Sequence, residues 1–181
     1  MKMRVSGLLI FGFSVLFLGF AWADQVSDRP EKLLRAMSLL PADDEIPEWK
    51  RSEKTLRASN HEELYKTFNG GASLYIQHGF HSFVGQSYKG PKGVELEVYI
   101  FNQGTPQNAE DLYENPFTKP TRIKAIANLG EKARIDMTPL FCYGVDLIQK
   151  GFFVRVIIQD RTEEGLNVAI SFARSISKRI K

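Results

Sequence analysis

Hydrophobic positions along this chain follow three rhythms, and each predicts a different kind of segment. The first is an unbroken run: from Gly7 to Phe20 nearly every residue is apolar. The second is helical. Leu33, Leu34, Met37 and Leu40 recur at the spacing of one helix face, which predicts a helix over Asp28 to Leu40 with Pro30 in its first turn and Pro41 as its stop. Asn60 is placed to cap a second helix, with Glu63 three residues on to reach back and Leu64 and Phe68 one turn apart. Asn69-Gly70-Gly71 then reads as a left-handed helix stop. Thr105-Pro106 opens a third helix carrying Ala109, Leu112 and Tyr113, closed by Asn115-Pro116. The longest stripe comes last: Leu166, Ala169, Ile170, Ala173, Ile176 and Ile180, with Thr162 as cap, acids in the first turn and bases in the last.

The third rhythm has a period of two. It is clearest from Val94 to Phe101, where Val94, Leu96, Val98 and Ile100 alternate with Glu95, Glu97, Tyr99 and Phe101, as expected of a strand with one buried and one wetter face. Aromatic and β-branched runs predict further strands at 73–80, 82–89, 132–137, 140–149 and 152–159. Lys89 to Gly93 reads as a turn, and Lys150-Gly151 as the tight turn of a hairpin. Residues 42 to 51 read as an extended loop anchored by Trp49, and 116 to 127, with Pro116 and Pro120, show no readable period. Strands in runs joined by short turns make an antiparallel sheet. The predicted class is therefore α+β: one domain over residues 24–181, with a mainly antiparallel sheet of about six strands covered by about four helices.

The apolar run has the setting of a secretory leader. Lys2 and Arg4 precede it, Ala21-Trp22-Ala23 gives a small-x-small cleavage pattern, and a polar stretch starts at Asp24. We therefore expect a signal peptide over residues 1–23 and an exported product, periplasmic or secreted. The rival, an uncut anchor, needs about 20 apolar residues, and the run is marginally short. Asp24 stands where a lipoprotein would carry cysteine, so lipid anchoring is not expected. No later stretch approaches a membrane span.

Composition narrows the classes further. With 43% hydrophobic and 25% charged residues, the chain can build one core. Taking Lys2 and Arg4 off the formal charge of +3 leaves +1. That near-balance argues against nucleic acid, whose phosphates select a basic excess. The single cysteine, Cys142, excludes an intrachain disulfide.

The most distinctive stretch is Asn69-Gly70-Gly71-Ala72-Ser73-Leu74-Tyr75-Ile76-Gln77-His78-Gly79-Phe80. With Leu39-Leu40-Pro41, Trp49 and Tyr88, it resembles the signature of an uncharacterised family of exported bacterial proteins, a domain of unknown function. Ala109, Gly130 and Lys150-Gly151-Phe152-Phe153 have counterparts in that family's later features. The resemblance implies an exported single domain and brings no activity, cofactor or catalytic residue. A more distant topological similarity is to the sandwich of photosystem assembly factors of the PsbP type.

Candidate chemistry is sparse. Asn69, Gly70 and Gly71 would make a backbone anion cradle, but a helix C-terminus is the wrong end of the dipole for phosphate. His78 and His81, with His61 as third ligand, are the metal candidates; the plainer reading is histidines at a strand bend. Glu95 and Glu97 share a strand face, as an acid–base pair or a solvated row. Asp43, Asp44 and Glu45 lack calcium-loop spacing. Cys142, within a predicted strand, lacks a local base. The aromatic residues fall on both strand parities, so the sheet is either covered on both faces or keeps one face open for binding. The candidate binding surface is Asn69, Gly70, Gly71, Tyr75, Tyr99 and Phe101. The reading that follows is a non-catalytic exported domain that binds an envelope protein or small ligand, with no cofactor. The alternative is a metal-binding or metal-dependent periplasmic protein using His78 and His81.

Overall fold

In a computed structural model, residues 21 to 181 are described. The predicted leader lies outside them except for Ala21 to Ala23. The chain forms α1 (Ala21–Ser38), β1 (Lys50–Arg51), β2 (Leu56–Ala58), α2 (His61–Phe68), α3 (Ala72–Gln77), β3 (Ser82–Lys89), β4 (Glu95–Asn102), α4 (Pro106–Glu114), β5 (Ile123–Ala125), β6 (Lys132–Asp136), β7 (Tyr143–Gln149), β8 (Phe152–Ile158) and α5 (Glu163–Arg179). Every strand pairing is antiparallel. The eight strands form one sheet in the order β1-β3-β4-β8-β7-β6-β5, with β2 also paired to β3. The class is α+β, as the alternation predicted.

Opposite parities of each strand feed two hydrophobic layers. On the first face, Leu96, Val98 and Ile100 of β4 join Val154 and Val156 of β8 and Val145 and Leu147 of β7. Helices α1 and α5 cover them with Ala36, Ala169, Phe172 and Ile176, joined by Leu39 just past the end of α1. Trp49 is the expected anchor, packing edge-on against Phe172 at 5.7 Å between ring centres. Tyr88 and Arg51 meet beyond the end of α1, both donating to the Pro41 carbonyl, at 2.8 Å from Tyr88 Oη. On the second face, α2, α3 and α4 cover Phe83, Phe101, Phe153 and Ile148 with Leu64, Phe68, Ala72, Tyr75, Ala109 and Leu112.

The caps form as the sequence indicated. Asn60 accepts from Glu63 N, Thr105 from Asn108 N and Thr162 from Gly165 N. The Glu63 side chain reaches one residue past the cap, to Ser59 N at 2.7 Å.

Four expectations need correction. Residues 73 to 80 are not a strand: Ala72–Gln77 is helical, because Phe68, Ala72 and Tyr75 carry the apolar stripe of α2 onward over the sheet. Asn69-Gly70-Gly71 is not a left-handed glycine stop but a single 3₁₀ turn, in which Asn69 takes the positive φ of 43°. Pro30 lies inside α1 rather than in its first turn, because the helix already runs from Ala21. The strand predicted at 140–149 begins at Tyr143, leaving Cys142 in the preceding loop. There Arg161 donates to the carbonyls of Met137, Pro139 and Cys142. The short β1, β2 and β5 raise the strand number above the expected six.

Candidate functional site

The pairing registers set the second face in rows across the sheet. One row runs Phe83, Phe101, Phe153, Ile148, Lys132. The next runs Gly85, Tyr99, Arg155, Asp146, Arg134, Ala125. A third runs Ser87, Glu97, Ile157, Gly144, Asp136, Ile123. The helix-covered cluster holds the first row from Phe83 to Ile148 and ends at Tyr99, leaving Lys132 exposed. In the third row Ser87, Glu97, Ile157 and Asp136 are half-buried and Ile123 is exposed. The face is thus closed over its aromatic half and open over its polar half.

The middle row is a charge network at the boundary. Asp146, wholly buried, accepts from Arg134 Nε at 3.0 Å and from Arg155 Nε at 2.7 Å and Nη2 at 2.9 Å. Both guanidinium groups also donate to the Thr118 carbonyl, Arg155 at 2.9 Å and Arg134 at 3.4 Å. Arg134 reaches the Tyr113 carbonyl at 2.8 Å, and its guanidinium carbon lies 3.8 Å from the Tyr113 ring centre. The network therefore ties the segment after α4 down to the sheet and leaves Phe117 outside, 90% exposed. Arg134 has a side-chain exposure of 2%, whereas Arg155 keeps 25% and is the cation that reaches the open half. Burial alone would lower the affinity of Arg155 for its proton; hydrogen bonds and charge from Asp146 outweigh that and raise it.

Tyr99 stands beside Arg155 on the neighbouring strand. Burial, helped by the charge and hydrogen bonding of Glu97, pushes its phenol up to about 12. It holds its proton throughout the physiological range, so it is a hydrogen-bonding group and not a base. Tyr75 stacks on Phe101 at 3.9 Å with 7° between the planes, and burial raises its phenol as well. These groups can donate hydrogen bonds, offer an aromatic face and pair with charge. They do not assemble a nucleophile with its base.

The candidate binding residues divide. Tyr99 borders the open half; Tyr75 lies against the closed half; Phe101 is buried beneath it. Asn69, Gly70 and Gly71 are exposed at the α2–α3 junction. The histidines occupy three different settings. His61 opens α2, with its ring 6.3 Å from that of Phe80. His78 donates from Nδ1 to the Leu74 carbonyl at 2.7 Å, and its Nε2 lies 3.5 Å from Asn115. His81 precedes β3 and packs over Gly104. Among the described residues, no group of three or more His, Cys, Asp or Glu is placed to hold a metal.

Glu95 and Glu97 share the second face, opposite Lys89 and Ser87. Asp43 and Glu45 serve the loop around Trp49: Asp43 accepts from Arg51 N, and Glu45 accepts from Ala42 N, Ser175 and Arg179. Burial would raise the Glu45 carboxyl, but those hydrogen bonds and the Arg179 charge hold it below its usual range. Burial, with Asp136 nearby, pushes the Cys142 thiol up, away from the lowered values of reactive thiols.

The network of Arg134, Asp146 and Arg155 was missed in the sequence. Its signal was a lone charge in each of two apolar strands, Arg155 within FFVRVII and Asp146 within YGVDLIQ; Arg134 sits among other charges in KARID and gave no such signal.

No family model matches this chain, and no curated protein sequence does. Among solved structures, the chain is similar to the extracellular domain of PknH from Mycobacterium tuberculosis. The match has a TM-score of 0.55 and 12% identity, covering 82% of this chain and 95% of that one. At that identity the likeness is one of fold. Among the described residues no helix is long and apolar enough to cross a membrane.

Proposed function

We propose that this chain is an exported, non-catalytic domain that binds a ligand or partner protein in the cell envelope through the open half of its second sheet face. The observation that carries the reading is the boundary row. There, Tyr99 packs at the edge of the closed aromatic half, Arg155 beside it is bonded to Asp146, and Glu97, Ile157 and Asp136 continue beyond them without a covering helix. Fixed polar groups beside aromatic surface are the usual makings of a binding site. Export rests on the Lys2–Ala23 leader pattern, and a fold shared with an extracellular domain is compatible with it.

The reading is tested by placing a photo-crosslinking residue in the whole chain, at Ile157 on the open half or at Asn167 on the exposed side of α5. Envelope material attached from Ile157 and not from Asn167 supports it. Equal labelling from the two positions, or none from Ile157, overturns it.

A further inference from the structure

The sheet ends on β5, and among the described residues no strand pairs with its outer edge. In the ladder with β6, Met137 N–H donates to Arg122 O at 2.8 Å and Ile126 N–H to Ala133 O at 3.0 Å. Antiparallel hydrogen bonding alternates along a strand. Arg122, Lys124 and Ile126 therefore turn their backbone groups toward β6, and Ile123 and Ala125 turn theirs outward. All three residues of β5 are exposed.

The side chains alternate in step. Ile123 and Ala125 lie opposite Asp136 and Arg134, on the second face. Arg122 and Lys124 project on the first face, and neither has an ion pair among the described residues. A cleft of about 290 Å³ adjoins the strand, lined on the second face by Ile123, Ala125, Arg134, Tyr113 and Lys119 among others.

A short strand with cations at its edge resists pairing with a second copy of itself, because like charges meet across the new ladder. The same cations favour a strand of opposite charge. The complement to this edge has acids facing Arg122 and Lys124 and apolar residues facing Ile123 and Ala125, next to the cleft. We propose that the β5 edge accepts an extended segment of a partner protein, alternating acidic and apolar residues, as an added strand. This docking mode does not depend on the open half of the sheet face.

The test uses the whole chain and two synthetic peptides, Glu-Val-Glu-Val-Glu-Val-Glu and its lysine counterpart. The readout is amide hydrogen exchange at each residue. The acidic peptide is expected to slow exchange at Ile123 and Ala125 by about tenfold or more, and the lysine peptide to leave it unchanged. Reversing both charges, Arg122→Glu with Lys124→Glu, should transfer the effect to the lysine peptide. Ala125→Pro removes an outward N–H without touching the β6 ladder, and should abolish the effect of the acidic peptide. No slowing at Ile123 and Ala125, equal slowing by both peptides, or slowing only on the sheet face overturns the proposal. The charge-reversed chain decides the matter should Ala125→Pro fail to fold.

Discussion

At the scale of single residues, the strongest constraint is Asp146. It is the one carboxylate bonded to both Arg134 and Arg155, and it has no exposure. Removing one partner of a buried ion network leaves uncompensated charge in a poorly polarisable setting, which costs far more than a surface pair contributes. Asp146→Ala is therefore expected to lower stability by about 3–5 kcal/mol in urea unfolding. Glu97→Ala, a half-buried residue in the next row, should stay within about 0.5 kcal/mol of the parent. A loss below about 1 kcal/mol for Asp146→Ala would show that the network does not hold the segment after α4 to the sheet. Under the proposed function, the same geometry favours Arg155 as a ligand-binding group: Asp146 already fixes it, so binding would cost it little side-chain freedom.

At the scale of elements, the turns separate glycines that the backbone requires from glycines that it does not. Gly151 has φ 81° after Lys150 at 45°, the paired left-handed conformation of a tight two-residue hairpin, and a Cβ there would lie 3.1 Å from the Gly104 carbonyl. Gly70 has ordinary φ, and its Cβ direction is open. Gly151→Ala should cost more than about 1 kcal/mol in thermal or urea unfolding, and Gly70→Ala should cost nothing measurable. Equal effects would contradict the turn assignments. The Lys150-Gly151 hairpin was legible in the sequence because a two-residue loop is a local matter. The α3 segment was not, since Leu74-Tyr75-Ile76 suits a strand as well as a helix. The helix prevails because Phe68 and Tyr75 must both reach Phe101, with ring centres 5.4 Å and 3.9 Å away. That contact joins residues far apart in the chain, which no propensity weighs.

At the scale of the whole molecule, the two sheet faces are covered differently. The first is sealed by α1 and α5 into a continuous apolar layer. The second is sealed over one half only. Cleavage after Ala23 would remove the first residues of α1 and leave untouched the residues of that helix that pack on the sheet, Leu33, Ala36 and Met37. Protein recovered from the cell envelope is accordingly expected to begin at Asp24 by N-terminal sequencing, with folding unimpaired. Recovery of a chain starting at Met1 in a membrane fraction resistant to salt and alkali would replace the secreted reading with an anchored one.

The sequence by itself determined the α+β class, the helix caps at Asn60, Thr105 and Thr162, and the parity that sends Leu96, Val98 and Ile100 inward. Each of these depends on residues within a turn or two of one another. Only the tertiary structure decided that β4 lies beside β8, and so that Tyr99, Arg155, Asp146 and Arg134 stand in one row. Register between strands distant in the chain is set by the fit of whole faces under their helices. A lone charge in an apolar strand therefore has no visible partner until the strands are paired.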